Sequence, residues 1–216
     1  MEKSLDNIPL NSQSWAKQAS FLGRWLHVLF YLSILQFLAA LPIYGLFPFL
    51  SIPHLCSKVM YAVYCFGSSF VFLKLSIVVK HYKTAGICFL IGYAAKALSS
   101  LSTPSTSSSV AFVASGVAII SSIVLLVAEW KEYRGHSKLL ENADSELSRK
   151  WRRLWEWYMR LFSTLLASIV VINFTSFLGA LMGLVAIVGL IMILIVKLVY
   201  LYRTNIIIRT NLFHRD

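Results

Sequence analysis

The sequence predicts an all-α, polytopic integral membrane protein with about six transmembrane helices in three hairpins and an amphipathic interfacial helix. Three observations carry that expectation. Hydrophobic residues make up 58 % of the 216 residues and charged residues 13 %, with a mean hydropathy of +0.71. Soluble domains use roughly 45–50 % apolar residues, so the bilayer is the expected solvent. The Lys and Arg residues gather in four clusters: Lys3, Lys17 and Arg24; Lys80 and Lys83; Lys131 through Arg160; and Arg203, Arg209 and Arg215. With the apolar stretches between them read as spans, all four clusters fall on one side, the bias that marks a cytoplasmic face. Finally, no Asp or Glu occurs between Asp6 and Glu129.

The first apolar run covers about residues 25–50 and carries Pro42 and Pro48 near its far end. The second covers 59–79, the third, less hydrophobic, 84–102, and the fourth 109–129. Residues 161–202 form a tract whose one ionisable residue is Lys197, about twice what one crossing needs. A hairpin is expected there, with its turn at Asn173, Thr175, Ser176 and Gly179, residue types that supply turn chemistry without a long loop. The organisation that follows is a cytoplasmic, interfacial N-terminal segment (1–24), a four-helix membrane part (25–130), a cytoplasmic basic amphipathic helix (131–160), a transmembrane hairpin (161–202) and a basic cytoplasmic tail (203–216). Both termini are expected to be cytoplasmic. A cleavable signal peptide ending near Ala39-Ala40 fits less well, because the polar lead is long and the apolar run continues past it.

This assignment places 16 Lys or Arg residues on the inner side and Lys58 alone in the outer loops. Lys74, Lys96 and Lys197 fall inside spans near their ends, where a four-methylene stem can carry the ammonium to the headgroups. No acid is expected to pair with them, since the acids sit in cytoplasmic segments or at a span end. That placement argues against proton-coupled carriers and carboxylate catalysis, both of which need an acid at depth.

Catalytic, cofactor and metal motifs are not apparent, so no enzyme activity and no cofactor is expected. His27, His54, His81, His136 and His214 are scattered without ligand spacing. Cys56, Cys65 and Cys88 form no CxxC and read as reduced, structural thiols. The Asn173-Phe174-Thr175 sequon lies in a turn expected to be too close to the bilayer for glycosylation.

Small residues recur every four positions at Ala114, Ala118 and Ser122, and at Gly179 and Gly183. Such stripes let helix backbones approach closely where lipid gives no hydrophobic drive to associate. Gly67-Ser68-Ser69 and Ser115-Gly116 are read the same way. The aromatic-basic quartets His81-Tyr82-Lys83-Thr84, Glu132-Tyr133-Arg134-Gly135 and Leu201-Tyr202-Arg203-Thr204 close the second, fourth and sixth spans. They fit either repeated hairpins or the general preference of inner helix ends for Tyr beside Lys or Arg.

The most informative segment lies between the fourth and fifth spans. Asp144 or Ser145 can cap a helix on which Leu147, Trp151, Leu154, Trp155 and Tyr158 share one face. Arg149, Lys150, Arg152 and Arg153 decorate the rest. An aromatic stripe flanked by cations predicts an interfacial helix whose surface contacts are Trp151, Arg152, Arg153, Trp155, Arg149 and Lys150. The expected partners are the lipid bilayer and anionic lipid headgroups, then a protein partner or a second copy of the chain. Nucleic acid is not expected, because the segment runs directly into a span. The expected function is that of a membrane interaction or scaffold protein. The alternative is a small-solute or lipid transporter or pore, with Lys74, Lys96, Asn173 or Gln36 on its path.

Overall fold

The computed structural model describes residues 12–40, 54–100 and 108–213. Among these are six α-helices and no strand: α1 (Ser12–Ala40), α2 (His54–Leu75), α3 (Lys80–Ser100), α4 (Ser108–Leu140), α5 (Ser145–Val171) and α6 (Ser176–Phe213). Pro42, Pro48 and His214, and the side chains of Lys58, His54, Cys56 and Ala114, lie outside the described residues.

Each helix packs on its neighbours in the chain, and α6 returns to α1, so the six form a closed ring. The inward faces follow helical periodicity. Leu22, Leu26, Leu29 and Ser33 are buried on α1, and Val71, Phe72 and Leu75 on α2. Tyr82, Ala85 and Phe89 follow on α3, and Ala128, Glu132, His136 and Leu140 on α4. Leu147, Trp151 and Leu154 line α5, and Ile193, Lys197, Leu201, Thr204 and Ile208 line α6. Spacings of three and four keep such residues on one stripe.

Close approaches need missing side chains at two contacts. A Cβ on Gly86 would stand 2.9 Å from the Ser69 carbonyl of α2, and one on Gly179 would stand 2.5 Å from the Ile172 backbone in the α5–α6 turn. A Cβ on Gly183 would stand 3.3 Å from the Ser168 hydroxyl. Thus Gly179 and Gly183 serve helix packing within the chain, as do the buried Ser68 and Ser69. Gly116, by contrast, has open space around it, Ser122 is exposed and Ala118 half-buried.

The expected hairpin turn falls at residues 172–175, between α5 and α6. Segment 131–160 is arranged differently from expectation. It divides between the end of α4, a short turn at 141–144, and the start of α5, which continues without a break through Val171. The tail is also helical, because α6 runs on to Phe213.

Among the described residues, two helices are long and apolar enough to cross a membrane, over Ser20–Leu38 and Ser176–Thr210, and Val59–Leu75 is a shorter apolar stretch. The α6 stretch has a mean hydropathy of 2.9, yet only 17 % of it is buried. Its outward residues include Phe177 at 82 % exposure, with Leu181, Leu184, Val185 and Val188 beyond it. Ile119, Ile120 and Ile123 of α4, Phe66 and Phe70 of α2, and Ile169 and Val170 of α5 are also exposed. Apolar surface this extensive marks a membrane or protein contact. At 1.5 Å per residue, α4 (33 residues) and α6 (38 residues) measure about 50 and 57 Å. The aliphatic stretch of α4 ends near Trp130; that of α6 is interrupted at Lys197, beyond which Arg203, Thr204, Asn205 and Arg209 mix with Leu201, Ile206, Ile207 and Ile208.

Candidate functional site

The polar ends of α4, α5 and α6 enclose a buried charged cluster. Lys197 of α6 lies 2.9 Å from each carboxylate oxygen of Glu132 on α4, and both residues are almost completely buried. A charge taken out of water is tolerated only when paired and hydrogen-bonded, and this bidentate contact supplies both. Lys197 also stands over the Tyr133 ring, 5.4 Å from its centroid. The expectations that Lys197 snorkels and that no acid pairs with it are therefore corrected: α4 stays helical past residue 129 and carries Glu132 to its side.

His136, one turn further along α4, is also fully buried. Its Nε2 lies 3.8 Å from Glu132, beyond hydrogen-bond reach, and its Nδ1 lies 2.8 Å from the Tyr82 hydroxyl of α3. The carboxylate favours the proton on Nε2, which leaves Nδ1 to accept from Tyr82. Gly135 makes this contact possible, because a Cβ there would meet the Tyr82 ring at 2.5 Å. Burial keeps His136 neutral and pushes its pKa down. Burial is the largest single influence on the Glu132 carboxyl and raises it, but Lys197 and His136 together outweigh it and hold the carboxyl below the usual carboxylate range.

Trp151 closes the cluster from α5. It is 0 % exposed, stacks on His136 at 4.5 Å, packs edge-on to Tyr133 and Tyr200, and donates from Nε1 to Thr204 Oγ1 at 3.3 Å. Its expected contact with headgroups is a second correction, because the Leu147, Trp151 and Leu154 stripe is covered by α4 and α6 rather than by lipid. Trp155, half-buried, stacks on Tyr158 and meets Tyr133. The corner between α4 and α5 is fastened by polar bonds. Asp144 caps α5 by accepting from the Leu147 amide at 2.9 Å, Ser148 Oγ donates to the Ser137 carbonyl, and Arg152 Nε donates to Ser137 Oγ at 2.8 Å.

All three aromatic-basic quartets contribute to this interior, the first two through Tyr82 and Tyr133 and the third through Leu201 and Thr204, while Tyr202 faces outward. Of the other in-span lysines, Lys74 stands over Phe70 and Lys96 over Tyr61. Asn173 donates to the Ile169 carbonyl at 2.9 Å within the turn, and the buried Gln36 Oε1 has no hydrogen-bond partner.

Above the cluster lies a cleft of about 470 Å³ between α3, α4 and α5. His81, Trp130, Arg134 and Lys138 line one side, and Arg152, Trp155 and Glu156 the other. Partial burial, with Lys131, Arg134 and Lys138 nearby, lowers the His81 pKa. Glu141 joins Lys138 at 2.5 Å and Arg152 at 3.3 Å. Lys131 and Arg134 stand over the Trp130 ring at 4.3 and 5.0 Å. On the outward side of α5, Arg149, Arg152 and Arg153 are exposed, Lys150 pairs with Glu146, and Trp157 is 56 % exposed beside Arg160. Sequence reasoning anticipated the α5 cations but not Glu132, His136, Tyr82 or the cleft. The available signal was the spacing of Glu129, Glu132 and His136 along one helical face.

Comparison with family models, with curated proteins and with solved structures finds no match to this chain.

Proposed function

We propose that this chain is a multi-pass, non-enzymatic membrane protein that holds a rigid basic surface against the cytoplasmic face of a bilayer, where it engages anionic lipid headgroups. One observation carries the reading: the exposed aliphatic surface of the ring gives way, at one end of α4 and α6, to a polar tip that carries the Lys131 to Arg160 cluster. A hydrocarbon layer of about 30 Å covers only part of helices this long. The tip stands in the headgroup region and beyond. In this reading the aromatic stripe of α5 anchors the tip to α4 and α6, and leaves Arg149, Arg152, Arg153, Trp157 and Arg160 on its outer side. The partner is anionic lipid, with an acidic protein surface or a second copy as the other occupant.

The test uses protein reconstituted in vesicles that contain a fluorescent anionic phospholipid or the equally labelled choline lipid. Energy transfer from the tryptophans should report enrichment of the anionic lipid, reversible by salt. Each basic residue near an anionic surface contributes about 1 kcal/mol, so Arg149→Glu with Arg153→Glu should reduce the enrichment about tenfold or more. Equal transfer to both lipids, unaffected by the substitutions, contradicts the proposal.

A second reading is favoured by the Glu132, Lys197, His136 and Tyr82 chain of buried polar groups, which supplies the intramembrane-edge charges a small-solute pathway uses. Solute flux in the same vesicles that Lys197→Ala abolishes would favour it over the scaffold.

A further inference from the structure

We propose that the α3–α4–α5 cleft is a site for one anionic phospholipid, with an acyl chain lying on α4 and the phosphate held by Lys131 and Arg134. This rests on the membrane reading above and adds a defined site to it. Ile120, Ile123, Val127, Trp130, Lys131 and Arg134 fall within about a third of the circumference of α4. They change in order from exposed aliphatic to indole to cation. That order matches a phospholipid read from chain to headgroup: hydrocarbon, interfacial glycerol, phosphate. Tryptophan is the side chain favoured at the glycerol level, where an apolar ring and a polar N–H are both accommodated.

The charges divide in the way the site requires. Lys138 and Arg152 are committed to Glu141. Lys131 and Arg134 form no ion pair among the described residues, and both stand over Trp130, which lines the cleft together with Arg134. Two cations beside one indole can bind a phosphodiester by charge-assisted hydrogen bonds. The cleft behind them has room for the rest of a headgroup. A free phosphate would need the cations but not the aliphatic track; an acidic peptide would leave Ile120 and Ile123 uncovered. A lipid uses both.

Native mass spectrometry of the full chain in mild detergent tests this with dioleoyl phosphatidylglycerol, dioleoylglycerol and inorganic phosphate as separate additions. The expected result is a single retained phosphatidylglycerol, weakened about tenfold or more by Lys131→Ala with Arg134→Ala. Arg134→Lys, which keeps the charge, should retain most of the binding. Arg149→Ala with Arg153→Ala, outside the cleft, should leave the single adduct in place. An adduct that survives loss of Lys131 and Arg134 overturns the site, as does equal retention of dioleoylglycerol or equal uptake of inorganic phosphate alone. Loss of the adduct through Arg149 and Arg153 instead would overturn the cleft while leaving the basic-surface reading standing.

Discussion

Lys197 shows what a single residue contributes to this fold. Its partner lies 65 positions earlier in the chain, and the pair is sealed by Tyr133 and Trp151. Removing one member of a buried pair strands the other charge, which costs about 3–5 kcal/mol, whereas replacing both with apolar residues of similar volume is often neutral. Lys197→Ala should therefore lower the melting temperature in detergent steeply, and Lys197→Met with Glu132→Leu should recover most of the loss. His136 gives a second expectation, in which the sign follows from its neutral burial against Glu132, Lys197, Tyr82 and Trp151. Its folded pKa is depressed, so the unfolded chain takes up the proton first as pH falls. The stability it contributes is whole above the ordinary value of about 6.5 and is lost as pH drops through that value toward the folded one. Glu132, also held low, loses its contribution in a more acidic window. Melting temperature should fall as pH drops through about 6.5, and His136→Asn should flatten that part of the profile while leaving the acidic limb. The pairing of Lys197 with Glu132 was not legible in the sequence, because an in-span lysine reads identically whether it reaches water or a distant acid.

At the scale of elements, more could be read. Helix α5 was visible in its Asp144 cap and in the spacing of Leu147, Trp151 and Leu154, and the α5–α6 turn in its run of Asn, Thr and Ser. What periodicity cannot say is which surface covers an apolar face. Lipid and a neighbouring helix impose the same pattern on the sequence, and here α4 and α6 provide the cover. The extension of α4 to Leu140 was hidden for a related reason: charged residues at Lys131 and Arg134 mark the end of a span but not the end of a helix. Two of the three tryptophans of α5, Trp151 and Trp157, distinguish the alternatives. Trp151→Ala empties a packed site and should cost about 3–5 kcal/mol. Trp157→Ala, at an exposed position, should stay within about 0.5 kcal/mol. Similar effects on melting for the two substitutions would contradict the packing of α5 described here.

For the molecule as a whole, the composition was the legible part: helical class and an extensive apolar exterior. The ring closure by α6 on α1 was not, since it depends on contacts such as that at Gly23, where a Cβ would stand 3.3 Å from the Arg209 side chain, and these leave no local pattern. In the proposed membrane arrangement, the cationic tip of α4 and α5 and the turn between α5 and α6 lie on opposite faces of a bilayer. Asn142 sits in the turn that leads into α5 and Asn173 in the turn that leads out of it, both exposed. The direct measurement is labelling of Asn142→Cys and Asn173→Cys, each in a background lacking Cys56, Cys65 and Cys88, with a membrane-impermeant maleimide added to sealed, oriented vesicles. Labelling of one position from outside, and of the other only after the vesicles are opened, is the expected result; labelling of both from the same side would contradict it.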